Sequence, residues 1–142
     1  MKHWVDQNYL RTLNKLEFHI YDRDVPAYAE VAAKVNERND GSFATLTNKH
    51  EIECYLHTNA ILNAFNVEVD VTDHLVDGKA TPKRFAEVYS VSRNLDGVLS
   101  DSKAKLKLAQ KASLLMTAHF IRERDPGGEV LGWMQPKRDM VG

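Results

Sequence analysis

The chain has 142 residues, of which 43% are hydrophobic and 27% charged, and its formal net charge is −1. This length and composition indicate one folded domain with a hydrophobic core and exclude a disordered protein. The near-neutral charge gives no overall positive field for nucleic acid, although it leaves room for a local basic patch. The single cysteine, Cys54, excludes an internal disulfide and is compatible with a reducing compartment.

The N-terminal sequence "MKHWVDQNYL" has no apolar core of signal-peptide length. No apolar run of about 18 residues, the length that a membrane-spanning helix needs, occurs anywhere in the chain. We therefore expect a cytoplasmic protein without a membrane partner.

Helices and strands alternate in the first part of the chain. Helical spacing of apolar residues and runs of β-forming residues predict, in order, a helix over 3–14, a strand over 16–21, a helix over 25–38 and a strand over 42–47. This alternation is typical of a parallel sheet. A domain of βα repeats ordinarily begins with a strand, so we expect a further strand upstream.

The rest of the chain is predicted to be mainly helical. A helix is expected from Lys49 through "ECYLHTNAILNAF", and Val67, Val69 and Val71 then alternate as in a strand before the turn "DGKATP". We expect a helix capped by Thr81 with Pro82 in its first turn.

The longest helix is predicted over 100–124, started by Ser100 or Asp101. Four residues are expected on its apolar side: Leu106, Ala109, Leu114 and Phe120. The fold class is therefore α/β: a partial parallel sheet flanked by helices over 1–66, and a mainly helical part over 67–142 packed on it as one structural unit.

Two aspartates, Asp22 and Asp24, follow the strand over 16–21 in the phrase "YDRDV". If the extended backbone continues through Arg23, both carboxylates point to one side, where their repulsion favours a cation such as Mg²⁺ or Mn²⁺. The alternative is that Asp24 caps the following helix and Asp22 closes the turn.

The phrase "KHEIECYLH" carries two more carboxylates, Glu51 and Glu53, which share a side only if the backbone is extended. If the segment is helical, a stripe of possible zinc ligands results instead: His50, Glu53, Cys54 and His57. Cys54 as a small buried hydrophobic residue and His19 as a hydrogen-bonded strand residue are the simpler interpretations.

Taken together, "FHIYDRDV", "NKHEIECYLHTNAI" and the tail "RERDPGGEVLGWM" resemble the second half of a Toprim domain, over residues 16 to 135. The closest likeness is to the OLD-family ATP-dependent endonucleases and their phage-defence relatives. The resemblance implies a hydrolase in which Asp22, Asp24 and Glu51, with Glu53 in addition, bind Mg²⁺ or Mn²⁺ for DNA cleavage. It also implies a late-helix lysine, Lys105 in preference to Lys107.

The family's earlier glutamate-bearing strand has no place here, because the first predicted helix begins at His3, and no G-x-x-x-x-G-K-[ST] motif occurs. The expectation is thus a fragment or subunit that is incomplete alone, with an ATPase domain or subunit, DNA and further copies of itself as partners. One alternative is a non-catalytic accessory subunit of a defence complex. Another is a haloacid-dehalogenase-like phosphatase, with Asp22 as nucleophile and Asp24 as general acid.

Overall fold

The computed structural model describes residues 16–133. The predicted helix over 3–14 and the end of the "EVLGWM" tail lie outside this range. The described chain divides into two compact units, the first formed by residues 16–47 and 130–133 and the second by Asn48–Glu129. We call them the sheet unit and the helical unit. The predicted boundary between residues 66 and 67 falls inside the helical unit.

The sheet unit contains strand β1 (Phe18–Tyr21), helix α1 (Ala27–Glu37) and strand β2 (Phe43–Leu46). The strands are parallel and in register from Phe18 opposite Phe43 to Tyr21 opposite Leu46, as the sequence predicts. The small core of this unit consists of Ala32, Val35 and Ala44, with Tyr21 packed against them. One face of the two-stranded sheet is therefore covered by α1.

Helix α1 is fastened to β2 by one side chain. The Asn36 amide donates to the carbonyl of Ala44 at 3.1 Å and accepts from the Ala44 N–H at 2.8 Å. These bonds satisfy backbone groups of a strand whose other neighbour is β1. They hold the C-terminal end of α1 against β2.

The helical unit contains four α-helices and three short helical turns. Its helices are α2 (Thr58–Phe65), α3 (Thr81–Ser92), α4 (Asp101–Lys107) and α5 (Ala118–Arg124). A 3-10 turn (Ile52–Tyr55) precedes α2, and a π-helical turn (Leu108–Ala112) and a 3-10 turn (Ser113–Leu115) follow α4. The core is built on Ile61, Phe65, Phe85 and Leu108, each almost fully buried.

The segment after Lys49 is not one continuous helix, contrary to the prediction. The backbone is extended at Glu51, makes the 3-10 turn, and is extended again at Leu56 (φ −69°, ψ 156°). His57 then caps α2, because its side chain accepts from the N–H of Asn59 at 3.0 Å.

The helix predicted over 100–124 is also wrong in its length and its buried face. The chain becomes extended at Met116 and Thr117, and α5 starts afresh with the Thr117 side chain accepting from the Phe120 N–H at 3.0 Å. Of the residues expected on its apolar side, Leu106 is 56% and Leu114 79% exposed. The buried side is formed by Ala104, Leu108 and Ala112.

Two other predictions for this region are partly confirmed. Val67, Val69 and Val71 are all buried, although they lie in extended chain outside any strand of the described residues. Helix α3 begins at Thr81, with Ala80 at the cap position and Pro82 in the first turn, one residue earlier than expected. Within residues 16–133, no helix has the length and apolar character that a bilayer crossing demands.

Candidate functional site

The two aspartates lie directly beyond the carboxyl end of β1, in the loop that leads to α1. A carboxylate oxygen of Asp22 lies within 4.8 Å of one of Asp24. Asp22 is half-buried and Asp24 is exposed. The backbone turns at Arg23 and Asp24, so the extended backbone assumed in the prediction does not continue through Arg23. The two carboxylates nevertheless lie close together, at the end of a parallel sheet where ligands commonly bind in α/β proteins.

The residue between them, Arg23, fixes the conformation of this loop. Its N–H donates to the Thr47 hydroxyl at 3.1 Å, and its Nε donates to the Thr47 carbonyl at 2.6 Å. Thr47 directly follows β2 and is fully buried. These two bonds tie the loop that carries both aspartates to the end of β2.

The helix-cap interpretation of Asp24 is wrong. The cap position of α1 is Pro26, two residues after Asp24, so Asp24 is not the N-cap residue of this helix.

Glu51 lies in the helical unit, immediately before the 3-10 turn, and is only 2% exposed. A buried carboxylate needs compensating charge, and Lys105 of α4 supplies it with its Nζ 3.4 Å from Oε2 of Glu51. Burial acts to lower the pKa of Lys105, but the charges of Glu53 and Glu51 outweigh it and raise that pKa. The ammonium group is thus held in its charged form.

The two candidate lysines of α4 differ in their surroundings. Lys105 faces Glu51, whereas Nζ of Lys107 lies over the ring of Tyr89, 5.2 Å from its centroid. The ion pair favours Lys105 as the lysine that belongs with the acidic residues. Glu53, in the 3-10 turn, acts on Lys105 through its charge.

The zinc stripe does not form, because it requires one α-helix through residues that are partly extended. The His57 ring is committed elsewhere: Nδ1 accepts the cap hydrogen bond and Nε2 lies 3.3 Å from Glu123. Cys54 is 1% exposed, and burial raises the pKa of its thiol, as expected of a small core residue.

Asp22 and Asp24 of the sheet unit offer carboxylate oxygens that lie close enough to each other to hold a metal ion, whereas Glu51, the third ligand that the resemblance implies, belongs to the helical unit. Their donor set consists of carboxylate oxygens alone, which suits hard cations such as Mg²⁺ and Mn²⁺ and does not suit a soft or imidazole-binding metal. The chemistry of the residues present therefore fits the metal that the resemblance implies.

The helical unit also contains a polar cleft of about 540 Å³ that sequence reasoning missed. Lys49 and Arg124 both bind Asp73 there, at 2.6 and 2.8 Å, and the hydrogen bond from Lys49 holds the pKa of Asp73 below its usual value. Tyr55 is hydrogen-bonded to Glu129 beside this cleft, and burial raises the pKa of its hydroxyl. These pairs are far apart in the chain, so no local pattern signals them.

In the sheet unit, a buried ionic network lies on the α1 side of β1. Arg38 pairs with Glu17, whose other oxygen is 2.8 Å from Nε2 of His19, and Nδ1 of His19 is 2.9 Å from the Tyr21 hydroxyl. His19 is thus a hydrogen-bonded strand residue, as expected. Alternation along β1 could have suggested this row, since residues 17, 19 and 21 share one face.

Comparison of the chain with protein-family models, with curated proteins and with solved structures finds no match.

Proposed function

We propose that this α/β protein is a metal-dependent DNA nuclease module that hydrolyses phosphodiester bonds, similar in its acidic residues to the Toprim part of OLD-family endonucleases. The observation that carries the proposal is the pair Asp22–Asp24, whose carboxylate oxygens lie close together beyond the end of a parallel strand. In this proposal the pair holds Mg²⁺ or Mn²⁺, and the resemblance adds Glu51 and Glu53 as further carboxylates for the metal.

A bound divalent ion would supply charge stabilisation for the phosphodiester and an activated water. The chain's own residues prepare the site for it. Arg23 holds the loop of the two aspartates against Thr47. Lys105 offsets the charge of Glu51 and positions that carboxylate, and its raised pKa keeps it cationic at neutral pH.

We further propose that the module works with an ATPase domain or subunit, as its proposed relatives do, and in phage defence. The support is the resemblance of "YDRDV", "EIECYL" and the tail to that family. Pull-down of the tagged full chain from its native cells, followed by an ATPase assay on what is captured, examines this part separately from the metal site.

The nuclease activity is tested on plasmid DNA with Mg²⁺ or Mn²⁺. The full chain should nick the DNA only when metal is present, and Asp24→Asn should reduce the rate by ~100-fold or more, because a metal ligand is lost. Asp96→Asn, a matched change at an exposed loop position, should cleave like the wild type.

Other outcomes would point to other functions. A folded, metal-binding chain that does not cleave DNA would indicate the non-catalytic accessory role. Hydrolysis of p-nitrophenyl phosphate that is abolished by Asp22→Asn, without DNA cleavage, would indicate the phosphatase. Cleavage that survives Asp24→Asn unchanged would overturn the proposed site.

A further inference from the structure

Three lysines of α4 and the π-helical turn, Lys103, Lys107 and Lys111, are grouped here with Arg93, which lies over the same Tyr89 ring as Lys107. We call them the basic row. Three of them lie over aromatic rings. The guanidinium of Arg93 is 4.7 Å and Nζ of Lys107 is 5.2 Å from the ring centroid of Tyr89, and Nζ of Lys111 is 5.9 Å from that of Phe65.

The register of the buried face creates this row. Ala104, Leu108 and Ala112 are fully buried, and Lys103, Lys107 and Lys111 each precede one of them by one residue. At i, i+4 and i+8 the three lysines occupy one line along α4 and the π-helical turn, at the edge of the core.

Aromatic rings and a hydrogen bond, in addition to the helix, hold the cations in place. Phe65 and Tyr89 contact each other edge to face with centroids 5.7 Å apart, which makes one aromatic support for all three charges. Arg93 also donates from Nη2 to the Phe65 carbonyl at 2.6 Å. Cations held over aromatic rings lose less freedom when an anion binds than freely moving lysines would.

No ion pair among residues 16–133 joins any member of the basic row to a carboxylate. Like charges spaced by four residues on a helix repel, at a cost of ~0.2–0.5 kcal/mol per pair. An alignment that is unfavourable for the free protein becomes favourable once a line of negative charge lies along it.

We propose that the basic row binds the phosphodiester backbone of a nucleic acid. The rings of Tyr89 and Phe65 carry cations on their faces, so bases have no free face there to stack on, and the contacts carry no base specificity. A bilayer fits less well, because of the apolar residues of α4 Ala104 is buried and Leu106 alone is exposed, which is too little apolar surface for insertion. The proposal goes beyond cleavage, since it needs no metal, but it rests on the proposed function for the choice of nucleic acid as the polyanion.

The test is fluorescence anisotropy of the full chain with labelled single-stranded and duplex DNA, in EDTA and at several salt concentrations. The double variant Lys107→Gln/Lys111→Gln should weaken binding by roughly tenfold at about 50 mM salt and lower the slope of log K against log salt by about 1.8 for duplex or about 1.4 for single strands. The change Lys107→Arg/Lys111→Arg should restore binding.

The control Lys34→Gln/Arg122→Gln changes the net charge equally at exposed positions that have no contact with Phe65 or Tyr89. It should bind DNA nearly as the wild type does, and thermal unfolding checks that both variants fold. If the double variant weakens binding to only one of the two DNAs, that DNA, single-stranded or duplex, is the form that the row binds.

Three results would overturn the proposal. They are absence of DNA binding at low salt, equal loss in the control, and DNA binding that survives the double variant while binding to vesicles of anionic phospholipid is lost. Because EDTA removes any metal, DNA binding without nuclease activity would refute the proposed function alone. Metal-dependent cleavage with no effect of the double variant would refute this surface alone.

Discussion

Both units hold a buried glutamate beside a cation, and the sheet unit also carries a pair of aspartates near the surface. In the helical unit, Glu51 is buried and a lysine on a neighbouring helix compensates it. The buried glutamate of the sheet unit, Glu17, is likewise held by Arg38 and His19. The aspartate pair of the sheet unit instead lies near the surface, with two carboxylates close together at the end of a strand.

This comparison shows which buried carboxylates are compensated by a cation within their own unit. A buried carboxylate must be compensated during folding, so its partner is part of the structure. Two converging carboxylates at the surface repel each other, and a cation from solution can relieve this. Glu17 is therefore structural, Glu51 combines a structural role with a proposed ligand role, and the aspartates are the residues at which we propose metal binding.

The largest loss of stability is expected at the buried ion pair of the sheet unit, to which no ligand role is assigned. Arg38→Leu removes the cation beside Glu17, and both side chains are nearly fully buried. Leaving one charge of such a pair behind should lower the free energy of unfolding by about 3–5 kcal/mol. Chemical denaturation measures this, with Lys34→Leu on the exposed side of α1 as the control. Equal losses in the two variants would mean that the Glu17 network is not a structural ion pair.

A slightly smaller loss of unfolding free energy is expected from a substitution in the core of the helical unit. Leu108→Ala should cost about 2–5 kcal/mol, because the side chain is fully buried. Leu106→Ala, at a 56% exposed position two residues earlier, should cost no more than about 0.5 kcal/mol. This matched pair tests the register from which the basic row follows. If Leu106→Ala cost more than Leu108→Ala, the register would be wrong.

A more modest effect is expected at Glu51, since its partner is partly exposed. Lys105→Met should lower the free energy of unfolding by about 1 kcal/mol at neutral pH, with solvent screening taken into account. The pKa of Lys105 is raised above its usual value of 10.5, so this stabilisation is present below that pH and is lost as the pH rises beyond it.

Denaturation of the wild type and of Lys105→Met should therefore differ at pH 7 and converge in strongly alkaline solution. Lys107→Met, the neighbouring candidate lysine, is the control and should leave this alkaline dependence as in the wild type. A constant difference between wild type and Lys105→Met at every pH would contradict the ion pair.

The smallest effect concerns the polar cleft. Its lysine, Lys49, holds the pKa of Asp73 below the usual 3.8. A lowered pKa stabilises the fold above that pH and the gain is lost as the pH falls through the native value, so the wild type should lose more stability between pH 7 and pH 3 than Asp73→Asn. The difference should be no more than about 1 kcal/mol, since Asp73 is half exposed. Asp70→Asn should instead follow the wild type across this range.

The sequence predicts correctly those features that depend on residues close together in the chain. β1, α1 and β2 are confirmed, because alternating β-formers and helical spacing are local and strong. Asp22 and Asp24 do lie close together, but the reason given for it is wrong, because the chain turns at Arg23 and Asp24 where the prediction assumed extended backbone. The parallel pairing followed from the order of the elements.

The errors have physical causes as well. No glycine or proline marks the break at Met116 and Thr117, so helical spacing alone suggested one long helix. The buried face of α4 and its extension contains two alanines, and hydrophobicity ranks them below the leucines that are in fact exposed. The pairing of Glu51 with Lys105 joins residues distant in sequence, which only the tertiary fold brings together.

Metal binding by the aspartate pair tests the central claim most directly. Calorimetric titration of the full chain with Mn²⁺ should give one saturable site, weakened ~100-fold or more by Asp22→Asn and unaffected by Asp96→Asn. Thermal unfolding of the three proteins should agree, with a rise in Tm on adding Mn²⁺ for the wild type and the control only. No saturable binding in a folded wild type, or equal binding by Asp22→Asn, would contradict the account.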